Sequence, residues 1–175
     1  MRLLKEVILG LFLVSTAALA GQDDVIARLA IENAKIKPEE AIQKITDKYP
    51  GYLSEFGIDD EDGAMVYEFT VVDSREGVEL ELIMDAESGK IWLDEKDRIS
   101  SNKLKTRKYQ LLMNSGVTLQ KAVEEAIKVV PGVLMEAELE QEKGIVFFEI
   151  ELLTDKGERK VIVDLQSGKP IPVTR

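Results

Sequence analysis

Apolar residues recur along the chain with two different spacings, and each spacing occurs twice. Near residue 40 and again near residue 120 they return every three or four residues, as in a helix with one buried face. A Pro-Gly pair ends each of these stretches, at Pro50-Gly51 and at Pro131-Gly132. The pattern therefore predicts two helices, one in each half of the chain.

Each predicted helix is followed by stretches in which apolar and charged residues alternate. In the second half, Phe148, Ile150 and Leu152 alternate with Glu149 and Glu151, and the first half repeats this alternation less regularly. One apolar and one charged face are typical of an antiparallel sheet covered on a single side. The sequence thus predicts an α+β fold of two tandem α-β-β-β units, each a helix packed on an antiparallel meander sheet. Because each unit is short for a core of its own, we expect the two to pack together or to share a sheet.

One ten-residue motif occurs twice, as IMDAESGKIW from residue 83 and as IVDLQSGKPI from residue 162. Its recurrence, together with that of the Pro-Gly pairs, indicates that the two halves are copies of one unit. An Asp at a strand end accepts backbone N–H groups, and a Gly closes a tight turn. The motif is therefore interpreted as a structural hairpin corner in preference to a ligand-binding site. The repeated residues are Asp85, Ser88 and Gly89 in the first copy and Asp164, Ser167 and Gly168 in the second.

The N-terminal residues predict a secretory signal peptide. Arg2 and Lys5 precede a short apolar run, and small residues end the segment at Ala20. We expect cleavage before Gly21 and hence a periplasmic or secreted protein, with an uncleaved anchor as the alternative. The next residues are expected to form a short helix or an extended partner-binding arm. The predicted organisation is a signal peptide at 1–20, a leading helical segment at 21–35, a first unit at 36–93, a basic linker at 94–116 and a second unit at 117–175.

Composition removes most catalytic chemistry. The chain contains no His and no Cys, which excludes His-based triads, Cys nucleophiles, disulfides and nearly all zinc, copper and haem sites. Paired carboxylates remain a route to hydrolysis, but a tandem meander offers no obvious cleft for them. An acidic run at 59–63 fails as an EF-hand loop because its first and twelfth positions are Ile58 and Phe69, which leaves weak divalent binding as the alternative to a plain hairpin loop. We expect no catalytic residue, no metal site and no cofactor.

Charge narrows the choice of partner. The net charge of −10 disfavours nucleic acid and anionic membranes. Within this acidic chain the linker concentrates positive charge, which is interpreted as a solvated segment or edge strand, with a docking strip for an acidic partner as the alternative. The single Trp is expected to cap the core between the copies or, if exposed, to anchor an interface. The candidate interface residues are Trp92, Lys103, Lys105, Arg107 and Lys108.

The ordered motifs resemble the PepSY domain. The resemblance is carried by a helix ending in Pro-Gly, an aromatic-Glu-aliphatic strand centre and a terminal Asp-x-x-Ser-Gly-Lys turn, all present twice. The strand centres are Tyr67-Glu68-Phe69 and Phe148-Glu149-Ile150. The resemblance implies a domain that binds and restrains peptidases or tunes protein activity outside the cytoplasm, without established catalytic residues.

The expected function is that of an exported, non-enzymatic binding protein. We expect it to act through a sheet face or edge on another envelope or secreted protein, such as a peptidase. The alternative is a sensor module that recognises a small molecule or a cation between the two repeats. A pocket lined by both copies would favour the alternative, whereas a flat acidic face would favour protein binding. The oligomeric state stays open.

Overall fold

An eight-stranded antiparallel sheet forms the centre of the computed structural model, which describes residues 20–174. The α+β class predicted from the sequence is confirmed. The predicted signal peptide, apart from Ala20, lies outside the described residues. In chain order the elements are α1 (Ala20–Asn33), α2 (Pro38–Lys48), β1 (Tyr52–Glu61), β2 (Ala64–Asp73), β3 (Val78–Asp85), β4 (Ile91–Arg98), α3 (Ser101–Leu104), α4 (Arg107–Asn114), α5 (Leu119–Val129), β5 (Val133–Glu142), β6 (Ile145–Thr154), β7 (Gly157–Asp164) and β8 (Pro170–Pro172).

All eight strands belong to one sheet with the order β4-β3-β2-β1-β5-β6-β7-β8. Each half contributes a four-strand meander, and the two meanders meet where β1 pairs with β5 in antiparallel orientation. At this junction Phe56 lies opposite Ala137, and Glu55 lies opposite Glu138. The halves therefore share a sheet, which is one of the two arrangements expected from the sequence.

Helices α2 and α5 cover the same face of the sheet in the two halves, and α4 covers the junction. Helix α2 begins at Pro38 and buries Ile42 and Ile45 against the strands. Helix α5 begins behind Thr118, whose hydroxyl accepts the Lys121 backbone N–H at 3.2 Å. Because their buried stripes and one set of alternate strand residues form a single core cluster, the opposite face of the sheet stays open.

Aromatic rings fill this core at the junction. The Phe56 ring centroid lies 5.6 Å from that of Tyr67 and 5.4 Å from that of Phe69. In the second half Ala137 replaces Phe56, and Phe148 replaces Tyr67. The first half therefore supplies most of the aromatic volume where the two halves meet.

A fourth strand in each half extends the predicted α-β-β-β unit. Strand β4 returns along β3, and β8 returns along β7. Beyond Leu93, β4 reads Asp-Glu-Lys-Asp-Arg and has no apolar alternation, which is why the hydrophobic pattern does not predict a strand there. Within the predicted linker, β4 continues to Arg98 and is followed by α3 and α4.

The Pro-Gly pairs bring the chain against a neighbouring strand after each helix. A Cβ on Gly51 would lie 2.6 Å from Val72 O, and a Cβ on Gly132 would lie 2.9 Å from Leu153 O. Both glycines are therefore needed for a close backbone approach, while the prolines before them are exposed.

Candidate functional site

The face of the sheet opposite the helices, called the open face below, is lined by acidic side chains. Directly opposed residues of an antiparallel sheet share one face, so their side chains interact across about 5 Å. One row of opposed residues crosses all eight strands and consists of Glu95, Glu81, Thr70, Glu55, Glu138, Glu149, Ile162 and Ile171. Glutamates dominate this row, so like charges face one another across the sheet.

A cleft of about 560 Å³ opens on the first half of the open face and extends across the junction to Glu136, Glu151 and Glu158 of the second half. Glu55, Glu68, Glu81 and Asp94 are among its lining residues, and no described lysine or arginine lines it. Burial, and after it repulsion by neighbouring carboxylates, raises the pKa of Glu68 and the pKa of Glu81. The cleft is therefore a region of concentrated negative charge that attracts cationic groups.

Glu138 links the two halves of this acidic surface. Burial, followed by the neighbouring Glu140, Glu55 and Glu136 carboxylates, raises the pKa of Glu138 to about 7. Burial also raises the pKa of Glu136. Because one carboxyl titrates near neutrality, the charge of the open face changes with pH in the physiological range.

A lysine occupies the acidic surface of the second half. Lys160 Nζ lies 2.6 Å from Glu149 Oε1 and also pairs with Glu151 Oε1. Although burial opposes it, hydrogen bonding to these two carboxylates raises the pKa of Lys160. The second half thus neutralises part of its own acidic surface.

Trp92 lies on β4, at the outer edge of the first half. The position expected between the two copies is not the one observed, because the turn closed by Gly89 carries the chain away from the junction. Trp92 is partly exposed and pairs with Ile83, which lines the acidic cleft. Its indole therefore lies beside the open-face cleft.

The basic residues of the predicted linker are divided between internal contacts and solvent. Lys103 Nζ lies 2.8 Å from Glu79 Oε2, and Arg107 Nε donates at 3.1 Å to a carbonyl of the β5–β6 hairpin. Lys105 and Lys108 have no ion-pair partner within the described residues. The structure therefore ties Lys103 to the first half and Arg107 to the second.

The repeated motif forms the same turn in both halves. Asp85 Oδ1 accepts the Ser88 backbone N–H at 2.6 Å and its hydroxyl at 2.5 Å. Asp164 Oδ2 accepts the same groups of Ser167 at 3.0 and 2.6 Å. The bonds from the serines lower the pKa of both aspartates.

This turn also contacts the residue that leads into the helix of its own half. Gly89 has a φ of +71°, and a Cβ there would lie 2.6 Å from Ile36 Cδ1. At Gly168, with a φ of +69°, the corresponding distance to Val117 Cγ2 is 3.5 Å. Ile36 and Val117 are equivalent in the two repeats. The motif thus lies where β3 or β7 ends and where α2 or α5 begins.

The described residues present neither a metal site nor a membrane-spanning helix. The acidic run at 59–63 forms the β1–β2 hairpin, in which Asp60 Oδ1 accepts the Gly63 N–H at 3.0 Å. Among the described residues, no three or more carboxylates are grouped in a way that could hold a metal ion. None of the described helices has the length and apolar character needed to cross a membrane.

Sequence reasoning placed the charged strand residues on an exposed face but did not select individual ones. Glu55, Glu81 and Glu138 become a site only because β1 pairs with β5, and this pairing leaves no local pattern in the sequence. The available signal was Lys160, a positive charge where the first repeat has Glu81. Comparison of the two copies at their polar positions would have identified it.

A comparison with protein families finds the same domain in both halves of the chain. A family model for the PepSY domain, described as peptidase propeptide and YPEB domain, matches residues 35–92 and 116–171, which confirms the predicted tandem resemblance. The chain is similar to the crystal structure of a Clostridium difficile 630 protein described as a candidate lipoprotein, at 25% identity over 82% of this chain and 95% of that chain, with a TM-score of 0.47. It is also similar to the YpmB protein from Bacillus subtilis, at 19% identity over 78% of this chain and 96% of that chain, with a TM-score of 0.33. No curated protein matches the chain.

Proposed function

Because the chain belongs to the PepSY family and carries its domain twice, we propose that it is an exported, non-enzymatic module that binds another protein outside the cytoplasm. The family is of a propeptide and regulatory kind rather than a catalytic one. Binding takes place on the open face of the sheet, and the partner presents a basic surface. The observation that carries this proposal is the uncovered row of glutamates across the sheet.

The open face suits binding better than the strand edges do. Strand β8 comprises three residues, and two of them are prolines that cannot donate a backbone hydrogen bond. Strand β4 has a register shift at Asp94 and a charged sequence, both of which oppose the addition of another strand. A complementary basic surface would instead be drawn to the acidic face and oriented by it.

A peptidase or its precursor is the first partner class to test. The matching family model is described as a peptidase propeptide domain, which supports this choice. Binding to a peptidase would restrain it by blocking access to its substrate. An exported location brings the module into the same compartment as secreted peptidases.

Site-specific photo-crosslinking tests the proposed surface. A photo-crosslinking amino acid replaces Thr70 on the open face or, as a control, Gln43 on the exposed side of α2. We expect one basic envelope or secreted protein to be captured from Thr70 and not from Gln43, and that protein is then assayed for peptidase activity with and without the module. Equal capture from both positions, or capture from Gln43 alone, would show that the open face is not the binding surface.

A second candidate function rests on a small cavity between the repeats. This cavity of about 110 Å³ has a mainly apolar lining that includes Ile45 and Leu53 of the first repeat, Leu112 of α4 and Leu119 of the second repeat. Its size and lining suit a small apolar molecule. Benzene titration followed by NMR provides the test, because filling the cavity would shift the amide signals of Leu53 and Leu119, and unchanged signals would remove this candidate.

A further inference from the structure

The two repeats carry opposite charges at one position of the open face. The repeats correspond at an interval of 81 residues before the β2–β3 turn and of 79 residues after it. By this correspondence Lys160 of β7 occupies the position of Glu81 of β3, and Glu149 occupies that of Glu68. The second half therefore holds an ammonium group where the first half holds a carboxylate.

The second half shows how this sheet surface binds a cation. The Lys160 ammonium lies between Glu149 and Glu151 on the neighbouring strand, within hydrogen-bonding distance of both. The ammonium group comes from a residue of β7, so the protein itself supplies the cation that these two carboxylates bind. The pair is an internal example of an ammonium bound by open-face carboxylates.

The first half presents the same surface without its cation. Glu68 is retained, and Thr70, the equivalent of Glu151, lies opposite Glu81 and donates its hydroxyl to Glu55 Oε2 at 3.2 Å. Asp94 adds a further carboxylate to the cleft lining. The cleft thus keeps one of the two carboxylates that hold the Lys160 ammonium, has Thr70 in place of the other, and carries the Glu81 carboxylate in place of the lysine.

We infer that the first-half cleft binds a lysine or arginine side chain of the partner protein, with its cationic group between Glu68 and Glu81. The inference rests on the proposed function and narrows it to one half of the open face. The partner's cationic group pairs with Glu68 as the Lys160 ammonium pairs with Glu149 in the second half. The partner therefore carries at least one exposed basic residue that enters the cleft.

Binding of a fluorescein-labelled hexalysine peptide to the purified protein tests this inference, with a hexaserine peptide as the negative probe. Replacing Glu81 by Lys copies the second repeat, so we expect Glu81→Lys to bind hexalysine about tenfold more weakly or worse. Glu124→Lys makes the same charge change on the exposed side of helix α5 and is expected to change the affinity by less than about twofold. Lys160→Glu gives the second repeat the residue that the first repeat has at this position. We expect this change to raise the number of hexalysine peptides bound per protein molecule from one to two.

Three results would overturn the inference. They are wild-type affinity in Glu81→Lys, an equal loss in Glu124→Lys, and displacement of hexalysine by Mg²⁺ at an ionic strength at which NaCl does not displace it. Circular dichroism establishes that each variant is folded, and Glu68→Gln gives a milder change in the same cleft. We expect Glu68→Gln to weaken binding as well.

The same variants separate this inference from the proposed function. If Glu81→Lys still captures the partner from Thr70 as efficiently as the wild type, the open face binds the partner but the cleft does not hold its basic side chain. If hexalysine binds in the cleft and no protein is captured, the cation site stands and the proposed function fails.

Discussion

Phe56 of β1 lies directly opposite Ala137 of β5, and the two residues hold the same position in the two repeats. Equivalent residues can face one another in an antiparallel pair only if a local twofold axis passes between them. The axis relates the two meanders and places α2 and α5 on the same face. One large and one small side chain meet on it, and Phe56 is fully buried.

This pairing predicts a size-dependent response at the axis. Phe56→Ala removes a ring packed against Tyr67 and Phe69, and we expect it to lower the free energy of unfolding by about 3–5 kcal/mol. Ala137→Phe overfills the same space and should lower the free energy of unfolding by about 1–3 kcal/mol. The exchange Phe56→Ala/Ala137→Phe restores the total volume, so urea unfolding should show a smaller loss than the sum of the two single changes. Strict additivity would mean that the two side chains do not share one space.

The junction also predicts how stability varies with pH. The pKa of Glu138 is about 7 in the folded state, above its ordinary value of 4.5, so the folded state binds this proton more tightly than the unfolded chain does. The associated stability is fully present below pH 4.5 and is lost as the pH rises through 7. Glu138→Gln should therefore stabilise the protein at pH 8 by about 1 kcal/mol and have little effect at pH 5. Thermal unfolding at both pH values, with Glu124→Gln as the control, measures this difference, and an equal effect at the two pH values would contradict the prediction.

A buried hydroxyl distinguishes the first repeat from the second. Tyr67 Oη donates to Ile36 O at 2.7 Å, and burial, followed by Glu39 and Glu40, raises the pKa of Tyr67 to about 12. Tyr67→Phe leaves the Ile36 carbonyl without this donor and should cost about 1–2 kcal/mol. The exposed Tyr52 serves as the control, since Tyr52→Phe should have no measurable effect on urea unfolding. An unchanged free energy of unfolding in Tyr67→Phe would show that another donor reaches the Ile36 carbonyl.

The repeated motif is expected to stabilise the fold rather than to bind a ligand. Asp85→Ala removes the acceptor of both Ser88 bonds and should lower the free energy of unfolding by about 1 kcal/mol at pH 7. The pKa of Asp85 is lowered in the folded state, so this contribution is present above the unfolded pKa and is lost as the pH falls through the lower folded value. In urea unfolding, the free energy of unfolding of Asp85→Ala should therefore differ less from that of the wild type at pH 2.5 than at pH 7. Unchanged stability together with lost capture from Thr70 would instead indicate a binding role.

The sequence predicted the parts of the fold whose signals are local. Helical spacing identified α2 and α5, and alternation identified the strands that carry Phe148 and Glu149. The order of the strands depends on pairing between distant segments, so the contact between Phe56 and Ala137 could not be predicted from either segment. Strand β4 has no apolar alternation because its polar residues are held by backbone bonds to β3, so only its charged composition, which is typical of an edge strand, indicated it.

The antiparallel contact between β1 and β5 has the geometry of a symmetric homodimer interface, formed here inside one polypeptide. Its integrity is therefore independent of protein concentration, because the second half is always present at the high effective concentration set by the connection. Identical subunits would have to carry the same residue on both sides of the axis. Covalent linkage removes that constraint, so one side can keep Phe56 and Glu81 while the other carries Ala137 and Lys160. A symmetric scaffold can in this way carry opposite charges at equivalent positions of its two halves.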